Sequence, residues 1–358
     1  MKTIEVHAAP SEYILKEGAF ELLEEKLQQR GIQSILVVTG TKSYEAAKAY
    51  WPEMPSMTET FYTYQGECSF AEIDKVVTRA KEVDAIVALG GGKVIDLVKA
   101  AANELHKQVI VLPTLASNCA PWTPLSVIYD NEGAFHHYDI YPIATSLLLV
   151  EPKLLLHAPR DLFVAGIGDT LAKWYEADVQ LRTIEHLPVP LMISYEAAKQ
   201  CKELLLRDSK EALRAMDEGV PNDAFIQVVE VMFIYAGMVG GYGDHYGRTA
   251  GAHAVHNGLT ALEESHALLH GVKVAYGICV QLMLENRPEE VQALRAFYEE
   301  LHLPQTLKEL GLTEVTAQQL QEVAEKTTIP TESIHLMPIG EITSERVLEA
   351  MQALEQLV

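Results

Sequence analysis

The feature that most constrains the fold is a change of pattern along the chain, from alternating strands and helices to helices alone. Short apolar runs bounded by turn residues predict strands, and helical patterns accompany several of them, as at Ala19–Gln29 and Phe70–Val83. The predicted strands are Ser34–Thr39, Ala85–Leu89, Val109–Leu112, Leu125–Tyr129 and Ser146–Val150. This alternation predicts a mostly parallel sheet covered by helices.

From Leu162 onward, strand patterns nearly vanish and long helical patterns follow one another. The predicted helices are Asp169–Thr183, Leu191–Leu206, Asn222–Val239, Gly251–Leu262, Gly271–Asn286 and Pro288–Leu301. A chain of 358 residues is long for a single core, so two domains are expected. We place an α/β domain at residues 1–158 and an all-helical domain at residues 159–358.

The chain is strongly acidic, with a formal net charge of −22. A surface of this sign repels phosphate backbones, which argues against a nucleic-acid partner. An anionic substrate or cofactor therefore needs a site that is locally positive.

Cysteine usage and apolar segments indicate where the protein works. The four cysteines are far apart in sequence and form neither a disulfide framework nor a zinc-knuckle pattern, which fits a reducing compartment. No uninterrupted apolar run reaches the ~18 residues that span a bilayer. The first residues lack the apolar core of a signal peptide. We expect a cytoplasmic protein without a membrane partner.

A triple glycine, Gly90, Gly91 and Gly92, follows a buried-looking strand, and with Lys93 it opens a helix predicted at Val94–His106. Glycines let the backbone approach a phosphate, and the helix N-terminus offers free N–H groups and a positive dipole end. The motif is neither GxGxxG nor a Walker loop, and a tight turn without a ligand would explain it about as well.

Two further features bear on a nucleotide site. Asp96 lies one turn into the same predicted helix, where it is either an exposed residue or a cofactor contact. An earlier strand ends at Thr39 and is followed by Gly40 and Lys42, where NAD sites usually carry an acid for the ribose 2′-hydroxyl. A lysine instead favours the 2′-phosphate of NADPH, although an ordinary polar loop is an equal alternative.

The helical half contains a cluster of histidines at His253, His256, His266 and His270. His253 and His256 are spaced i, i+3 and share one face of a helix with small apolar neighbours. With the carboxylate of Asp169, two imidazoles would leave open positions on a divalent cation, as metal catalysis requires. His266 is expected at the surface or at a helix end.

Four stretches resemble one enzyme family. They are GGGKVID (Gly90–Asp96), LPTLASNCAPWTPLSVIY (Leu112–Tyr129), AGIGDTLAKWYEA (Ala165–Ala177) and AHAVHNGLTALEESHALLHGVKVAYG (Ala252–Gly277). With these stretches the chain resembles the glycerol dehydrogenase branch of the iron-containing (group III) alcohol dehydrogenase superfamily. Within that branch, NCAPWTPLSV, GMVGGYGD (Gly237–Asp244) and SIHLMP (Ser333–Pro338) are similar to members that act on hydroxycarboxylates.

The resemblance implies a dehydroquinate synthase-like fold, with an α/β dinucleotide-binding domain, a helical metal-binding and catalytic domain, and an active site in the cleft between them. It also implies a metal-dependent NAD(P)-linked oxidoreductase that is a homo-oligomer. The implied metal ligands are Asp169, His253 and His270. Iron-dependent relatives carry another histidine where this chain has Lys173, so a three-ligand zinc site is favoured over iron.

The resemblance also assigns the cofactor contacts. Within and after the glycine turn, they fall on Gly92, Lys93, Asp96, Thr114, Ser117, Thr123, Leu125 and Tyr129. Thr123 stands where glycerol dehydrogenases have serine. Gly40 replaces the aspartate that holds the adenosine ribose in NAD-specific members, which favours NADP(H) and leaves NAD(H) as the alternative.

Two departures from glycerol dehydrogenases point to the substrate. Cys119 replaces an aspartate that contacts the polyol, and Lys173 replaces a small uncharged residue one helical turn after Asp169. The first removes a negative charge and the second adds a positive one, so a carboxylate-bearing small molecule, a 2-oxo or 2-hydroxy acid, is favoured. The alternative places Lys173 in solvent and Cys119 in plain packing.

His256 is a candidate catalytic proton relay, and a hydrogen bond that supports a ligand is the equal alternative. Three other functions remain open. A NAD-dependent glycerol or polyol dehydrogenase is the nearest alternative. A dehydroquinate-synthase-like lyase would need a rich cluster of phosphate-binding Lys and Arg, which the sequence lacks. A non-catalytic metal or nucleotide binder would not need the full ligand set and the intact glycine turn.

Overall fold

The computed structural model describes residues 3–131 and 135–357, and its first half is built around a β-sheet. The strands are β1 (Tyr13–Leu15), β2 (Ser34–Thr39), β3 (Thr58–Thr63), β4 (Ala85–Gly90), β5 (Gln108–Pro113), β6 (Leu125–Tyr129), β7 (Phe135–Ile140) and β8 (Leu147–Val150). Six of them form a parallel sheet in the order β1-β8-β5-β4-β2-β3. The carboxyl ends of β5, β4 and β2 therefore meet side by side at one edge, which is where α/β sheets bind ligands.

The central strands β2, β4 and β5 are nearly fully buried, because helices cover both faces of a parallel sheet. The predicted fold class, a parallel α/β sheet followed by a helical part, is confirmed. Strands β1, β3 and β7 were missed by the sequence prediction. β3 lies at the sheet edge with an almost wholly exposed, polar sequence, so it lacks the apolar run that marks a buried strand.

The prediction that Leu125–Tyr129 belongs to the parallel sheet is wrong. β6 pairs antiparallel with β7 in a separate two-stranded sheet. Its burial alternates along the strand, as expected when only one face is covered. That face is tied to the helix of the glycine turn, since the Ser126 hydroxyl donates to the Asp96 carbonyl at 2.8 Å.

Helices fill the rest of the described chain. They are α1 (Leu23–Gln29), α2 (Thr41–Ala47), α3 (Phe70–Ala80), α4 (Gly92–Leu105), α5 (Pro152–Leu156), α6 (Arg160–Leu181), α7 (Val189–Glu218), α8 (Asp223–Glu230), α9 (Ala236–Gly243), α10 (Gly251–Leu259), α11 (His270–Leu284), α12 (Pro288–Leu301), α13 (Ala317–Thr327) and α14 (Ser344–Leu357). A π-helical segment, Val231–Tyr235, joins α8 to α9. The domain boundary between residues 158 and 159 stays a prediction.

Several predicted helix ends are wrong. α6 begins at Arg160, so Asp169 lies in the middle of this helix and not near its start. Gly166 and Gly168 weaken the helical pattern of the sequence, which explains why the predicted helix began too late. Both positions need small residues because neighbouring segments pack closely against them. α7 runs on to Glu218, and α13 and α14 lie in a C-terminal stretch that was left unassigned.

One continuous helical stretch, Asp223–Tyr246, is long and apolar enough by composition to span a membrane. Polar residues such as Gln227 and Glu230 interrupt it, so the sequence shows no uninterrupted apolar run of that length. The stretch is 61% buried within the molecule over its most apolar window, as in the core helix of a globular protein.

Close contacts between α6, α10 and α11 bring their functional faces together. A Cβ atom on Gly168 of α6 would lie 2.6 Å from the carbonyl oxygen of Gly271 on α11, and a Cβ on Gly271 would overlap the Ala165 backbone. A Cβ on Gly277 of α11 would likewise overlap the Ala252 backbone of α10. Only glycine permits helix axes to approach this closely, and each crossing lies within a turn of a residue predicted to bind metal.

Candidate active site

Three helices bring Asp169, His253 and His270 to one point. Asp169 lies on α6, His253 on α10 and His270 at the first position of α11. The Nε2 atoms of His253 and His270 lie 3.2 and 3.4 Å from Asp169 Oδ1, and the potential ligand atoms lie within 4.8 Å of one another. The structure therefore brings together all three residues predicted as ligands.

The chemistry of these donor atoms suits a cation. Asp169 Oδ1 is buried and has no hydrogen-bond partner of its own among the described residues. Both imidazoles use Nδ1 for other contacts and direct Nε2 toward this oxygen. With both imidazoles unprotonated at Nε2, three acceptor atoms would face one another and repel unless a positive charge lay between them. One carboxylate with two imidazoles is a common zinc set with an open position.

Glu176, which the sequence analysis missed, orients His253. Its Oε2 lies 2.7 Å from His253 Nδ1, and its Oε1 accepts the backbone N–H groups of Ala250 at 2.7 Å and of His253 at 2.9 Å. Glu176 is fully buried, and it lies two helical turns after Asp169 on the same side of α6. A carboxylate at this spacing within an apolar helix was the signal that could have found it.

Charge balance at the site links metal binding to proton release. Burial alone would raise the pKa of Asp169, but Lys173 and the two imidazoles hold it well below its usual value. Burial opposes a charged His253, yet Glu176 outweighs it and raises the pKa of His253 to about 9. Because a cation needs the unprotonated imidazole, metal binding to this set would release a proton at neutral pH.

His256 lies directly behind the ligand set. Its Nε2 is 3.0 Å from His270 Nδ1, and its Nδ1 is 3.0 Å from Asn257 Oδ1. Burial and the neighbouring His270 hold the pKa of His256 well below its usual value, so the ring is neutral. His266 is exposed, as expected of a surface residue, and its Nε2 lies 3.1 Å from the Thr260 carbonyl oxygen.

The glycine turn connects β4 to α4, which begins at Gly92 rather than at Val94. A Cβ on Gly92 would lie 2.9 Å from the Asn118 side chain, and one on Gly91 would crowd Leu115 at 3.2 Å. Lys93 is half-exposed in the first turn of the helix and forms an ion pair with Glu67. Its ammonium therefore lies beside the turn that was predicted to bind phosphate, although Glu67 already forms an ion pair with it.

The loops after β2 and β5 lie beside this turn. The Thr114 hydroxyl lies 3.5 Å from that of Ser43, and Ser43 Oγ would lie 3.3 Å from a Cβ on Gly90. Gly40 precedes α2 with an extended backbone, and a side chain there would meet the Tyr64 ring at 3.1 Å. The structure therefore gathers the predicted nucleotide contacts of three strands at one edge.

Asp96 and Lys99 of α4 anchor the loop that follows β5. Lys99 is buried, and its ammonium donates to the carbonyls of Ala120 and Thr123 at 3.1 Å, and to that of Leu125. Asp96 pairs with Lys99 at 2.9 Å and accepts the Val127 N–H at 3.1 Å. The alternative that Asp96 is an exposed residue is wrong, because these contacts hold its carboxylate inside the protein.

The remaining predicted contacts lie along this loop and β6. A Cβ on Gly166 of α6 would lie 2.6 Å from Ser117 Cα, so the loop packs directly on the metal-site helix. Thr123 is buried and donates its hydroxyl to the Cys119 carbonyl at 3.3 Å. Tyr129 is half-buried, and burial raises its pKa to about 12. The loop thus joins the glycine-turn edge to the metal site.

Lys173 and Cys119 lie beside the ligand set. Lys173 is 9% exposed and its ammonium donates to the Arg248 carbonyl at 3.3 Å, so the alternative that places it in solvent is wrong. Burial alone would lower its pKa, but Asp169 outweighs this and the pKa is raised, which keeps the lysine charged. Burial raises the pKa of Cys119, so its thiol is neutral.

Arg248 is a second positive charge that the sequence analysis missed. Its guanidinium packs on Gly240, with Nη1 3.4 Å from a Cβ built there, and it is close enough to Cys119 for each to affect the other's titration. Burial lowers its pKa, an effect that Tyr138 and Asp244 partly oppose, although no carboxylate among residues 3–131 and 135–357 lies within ion-pair distance of it. The sequence feature that could have revealed this residue is its position shortly before α10, the helix of small residues that carries His253.

Comparison with known proteins agrees with this arrangement. The family of iron-containing alcohol dehydrogenases matches residues 10–152. The chain is 35% identical to hydroxycarboxylate dehydrogenase A of Escherichia coli K12, covering 98% of both chains. It is also 35% identical to a glycerol dehydrogenase of Thermotoga maritima, covering 97% of this chain and 96% of that one.

The crystal structure of glycerol dehydrogenase from Schizosaccharomyces pombe superposes with a TM-score of 0.90 at 30% identity, covering 99% of this chain and 91% of that chain. The protein is thus an oxidoreductase of the class that acts on CH–OH groups. The chain belongs to the iron-containing alcohol dehydrogenase family, and its resemblance to the glycerol dehydrogenase branch is confirmed.

Proposed function

We propose that this oxidoreductase is a metal-dependent, NAD(P)-linked dehydrogenase that interconverts small 2-oxo acids and 2-hydroxy acids. The observation that carries the proposal is the charge beside the ligand set. Lys173 and Arg248 are positive, Cys119 is neutral, and Arg248 has no ion-pair partner among the described residues. The similarity to hydroxycarboxylate dehydrogenase A supports it.

A divalent cation, which we propose to be zinc rather than iron, would be held by Asp169, His253 and His270 and would supply Lewis acidity to the substrate oxygen. Glu176 and His256 fix the orientation of the two imidazoles. Of the two roles considered for His256, we propose support of His270, because both its ring nitrogens contact groups of the protein.

The chain's own residues orient the reactants. The glycine turn and the loop anchored by Lys99 would hold a nicotinamide cofactor, which supplies or accepts the hydride. Lys173 and Arg248 would bind the substrate carboxylate, so that the adjacent carbon faces the ligand set. The buried neighbourhood of Cys119 keeps bulk water away.

We further propose that NADP(H) is accepted and preferred over NAD(H). Gly40 offers no carboxylate to repel a 2′-phosphate, and Lys42 lies exposed two residues further on. The comparison of Kd values for NADPH and NADH by fluorescence titration decides this point. A lower Kd for NADH would contradict it.

A substrate panel tests the proposal as a whole. The zinc-loaded enzyme is assayed by nicotinamide absorbance with 2-oxobutyrate, glycerol or no substrate, each with NADPH and NADH, with and without a chelator. We expect the highest kcat/KM with 2-oxobutyrate and loss of activity with the chelator. A higher kcat/KM for glycerol would instead establish the second candidate, a glycerol dehydrogenase, which the Thermotoga and Schizosaccharomyces relatives favour.

Replacing Lys173 by Thr tests the carboxylate contact directly. Removing the ammonium is expected to lower the ratio of 2-oxo-acid to polyol activity by roughly tenfold or more, in line with the loss of one charged hydrogen bond. The Lys173→Arg variant keeps the charge and serves as the matched control. An unchanged ratio in the threonine variant would rule out this role.

We also propose a homo-oligomer that works in the cytoplasm. All four cysteines are free, which suits a reducing compartment. The edge strand β3 carries an exposed Phe61, and edge strands with apolar side chains are commonly covered by another chain. Light scattering coupled to size exclusion measures the assembly, and a monomer at micromolar concentration would contradict the proposal.

A further inference from the structure

We infer that Glu332 selects the tautomer of the metal ligand His270, acting through Asn257 and His256. Glu332 lies beyond α13, far in sequence from the ligand set. Its carboxylate contacts Asn257 and acts on the ligand set only through other side chains, so it is a positioning residue. The inference rests on the proposed metal site but not on the identity of the substrate.

The four side chains form a continuous hydrogen-bonded row. Asn257 Nδ2 lies 3.1 Å from each carboxylate oxygen of Glu332. Asn257 Oδ1 lies 3.0 Å from His256 Nδ1, and His256 Nε2 lies 3.0 Å from His270 Nδ1. The row ends at His270 Nε2, which faces Asp169 Oδ1 at 3.4 Å.

The carboxylate sets the direction of every hydrogen bond in this row. A carboxylate only accepts, so Asn257 must present its amide N–H groups to Glu332 and its oxygen to His256. That oxygen also only accepts, which places a proton on His256 Nδ1 and, in an imidazole with a single proton, leaves Nε2 as the acceptor. His270 therefore donates from Nδ1, and its Nε2 keeps the lone pair that a cation requires.

The tautomer of the other proposed imidazole ligand, His253, is set in the same way but by direct contact with a carboxylate. Glu176 contacts His253 Nδ1 directly, so that Nε2 is again directed at the ligand set. Each histidine ligand thus has its tautomer set by a carboxylate, one by direct contact and one through two intervening side chains.

Replacing Glu332 by Gln removes the constraint on the row, because an amide can accept from Asn257 or donate to it. The new amide can donate to Asn257 Oδ1, which lets the asparagine turn and present its N–H groups to His256. His256 then carries its proton on Nε2, and His270 presents an N–H group to the cation. We expect the Kd for zinc, measured by competition with a chromophoric chelator, to rise roughly 10–100-fold.

A second substitution provides a rescue that a merely structural role would not produce. In the double variant Asn257→Asp with Glu332→Gln, donor and acceptor exchange places: the glutamine donates and the aspartate accepts from His256 Nδ1. Zinc affinity should return to within a few-fold of that of the wild type. The single variant Asn257→Asp puts two carboxylates in contact and should bind zinc less tightly than the double variant. Glu264→Gln removes an exposed charge from the segment between α10 and α11 and should leave the Kd unchanged.

The wild-type protein also gives a direct test that needs no variant. Nitrogen-15 shifts of labelled histidines in the metal-free protein at pH 8 report which ring nitrogen carries the proton. We expect the Nδ1–H form for His256. The Nε2–H form, or a zinc affinity of Glu332→Gln equal to that of the wild type, would overturn the inference. If the wild type itself bound no zinc, the proposed metal site would fail as well.

Discussion

Arg248 is a positively charged residue in a partly buried position. It is a half-buried guanidinium beside the neutral Cys119, and no described carboxylate pairs with it. Burying a cation is costly unless an anion compensates it. Asp244 acts on this charge only from beyond ion-pair distance, and we propose that a substrate carboxylate completes the compensation.

Replacing Arg248 by Met should raise KM for 2-oxobutyrate by roughly 10–100-fold, the worth of one charged hydrogen-bonded contact. KM for hydroxyacetone, which has no carboxylate, should change far less. Steady-state kinetics on both substrates measure the difference, and the exposed Arg207→Met serves as a control for general charge loss. Equal losses on both substrates would contradict the assignment.

Individual site residues differed in how well the sequence revealed them. Asp169, His253 and His270 were predictable because of their residue types and because of the family resemblance, and the structure brings them together. Glu176, Glu332 and Arg248 were missed, since their roles depend on contacts between positions far apart in the chain. Asp96 was ambiguous because only tertiary contacts show that it is buried.

At the scale of elements, the crossing of α6 and α11 sets the position of the ligands. Replacing Gly271 by Ala would push a methyl group into the Ala165 backbone, and the helices would have to separate. We expect a loss of at least ~2 kcal/mol in the free energy of unfolding, together with weaker zinc binding. Urea unfolding and chelator competition measure the two effects.

A matched helical glycine separates this effect from helix propensity. Gly240 of α9 would place its Cβ 3.4 Å from the flexible Arg248 side chain, which is an ordinary contact. Gly240→Ala should therefore be neutral or slightly stabilising. Similar losses in both variants would show that the crossing does not depend on close approach at Gly271.

The junction of β2 and β4 has a pH-dependent stabilisation. Asp84, just before β4, accepts the N–H groups of Gln33 and Ser34 and the Ser34 hydroxyl, each at 2.9 Å. These hydrogen bonds hold the pKa of Asp84 below its usual value. The stabilisation is therefore present at neutral pH and is lost as the pH falls through the lowered pKa.

Replacing Asp84 by Asn should cost about 1 kcal/mol at pH 7, a value reduced for the exposure of this residue. The difference from the wild type should stay constant down to about pH 5 and shrink below about pH 4, where the carboxyl begins to protonate. Urea unfolding across this range measures it. A destabilisation by Asp84→Asn that increases as the pH falls would contradict this role of Asp84.

The elements themselves were predictable where burial is complete. Strands β2, β4 and β5 are continuous apolar runs, because both of their faces are covered. Strand β3 and the start of α6 were not predictable, since an edge strand tolerates polar residues and close helix packing selects glycines that weaken the helical pattern.

For the whole molecule, the ligand set joins three helices that are far apart in sequence. A cation bound by Asp169, His253 and His270 stabilises only the folded chain, because the unfolded chain does not assemble the set. Zinc at a hundred times its Kd should add about 2.7 kcal/mol and raise the midpoint of thermal unfolding by roughly 3–5 °C.

Differential scanning calorimetry with zinc and with a chelator measures this shift. The triple substitution of the ligands by Ala, Asn and Asn at Asp169, His253 and His270 is the control and should show no shift. A wild-type midpoint that does not respond to zinc would contradict the proposed site.

The contacts of Lys99 affect how the proposed nucleotide cofactor would bind. Its ammonium already holds two carbonyls of the loop between β5 and β6 and the carbonyl of Leu125, where β6 begins, so the loop acquires its shape when the chain folds. Little conformational entropy remains to be lost on association, and a receptor of this kind is pre-organised. Capture of the dinucleotide should therefore follow a single concentration-dependent phase in stopped flow, with no slow rearrangement after the encounter.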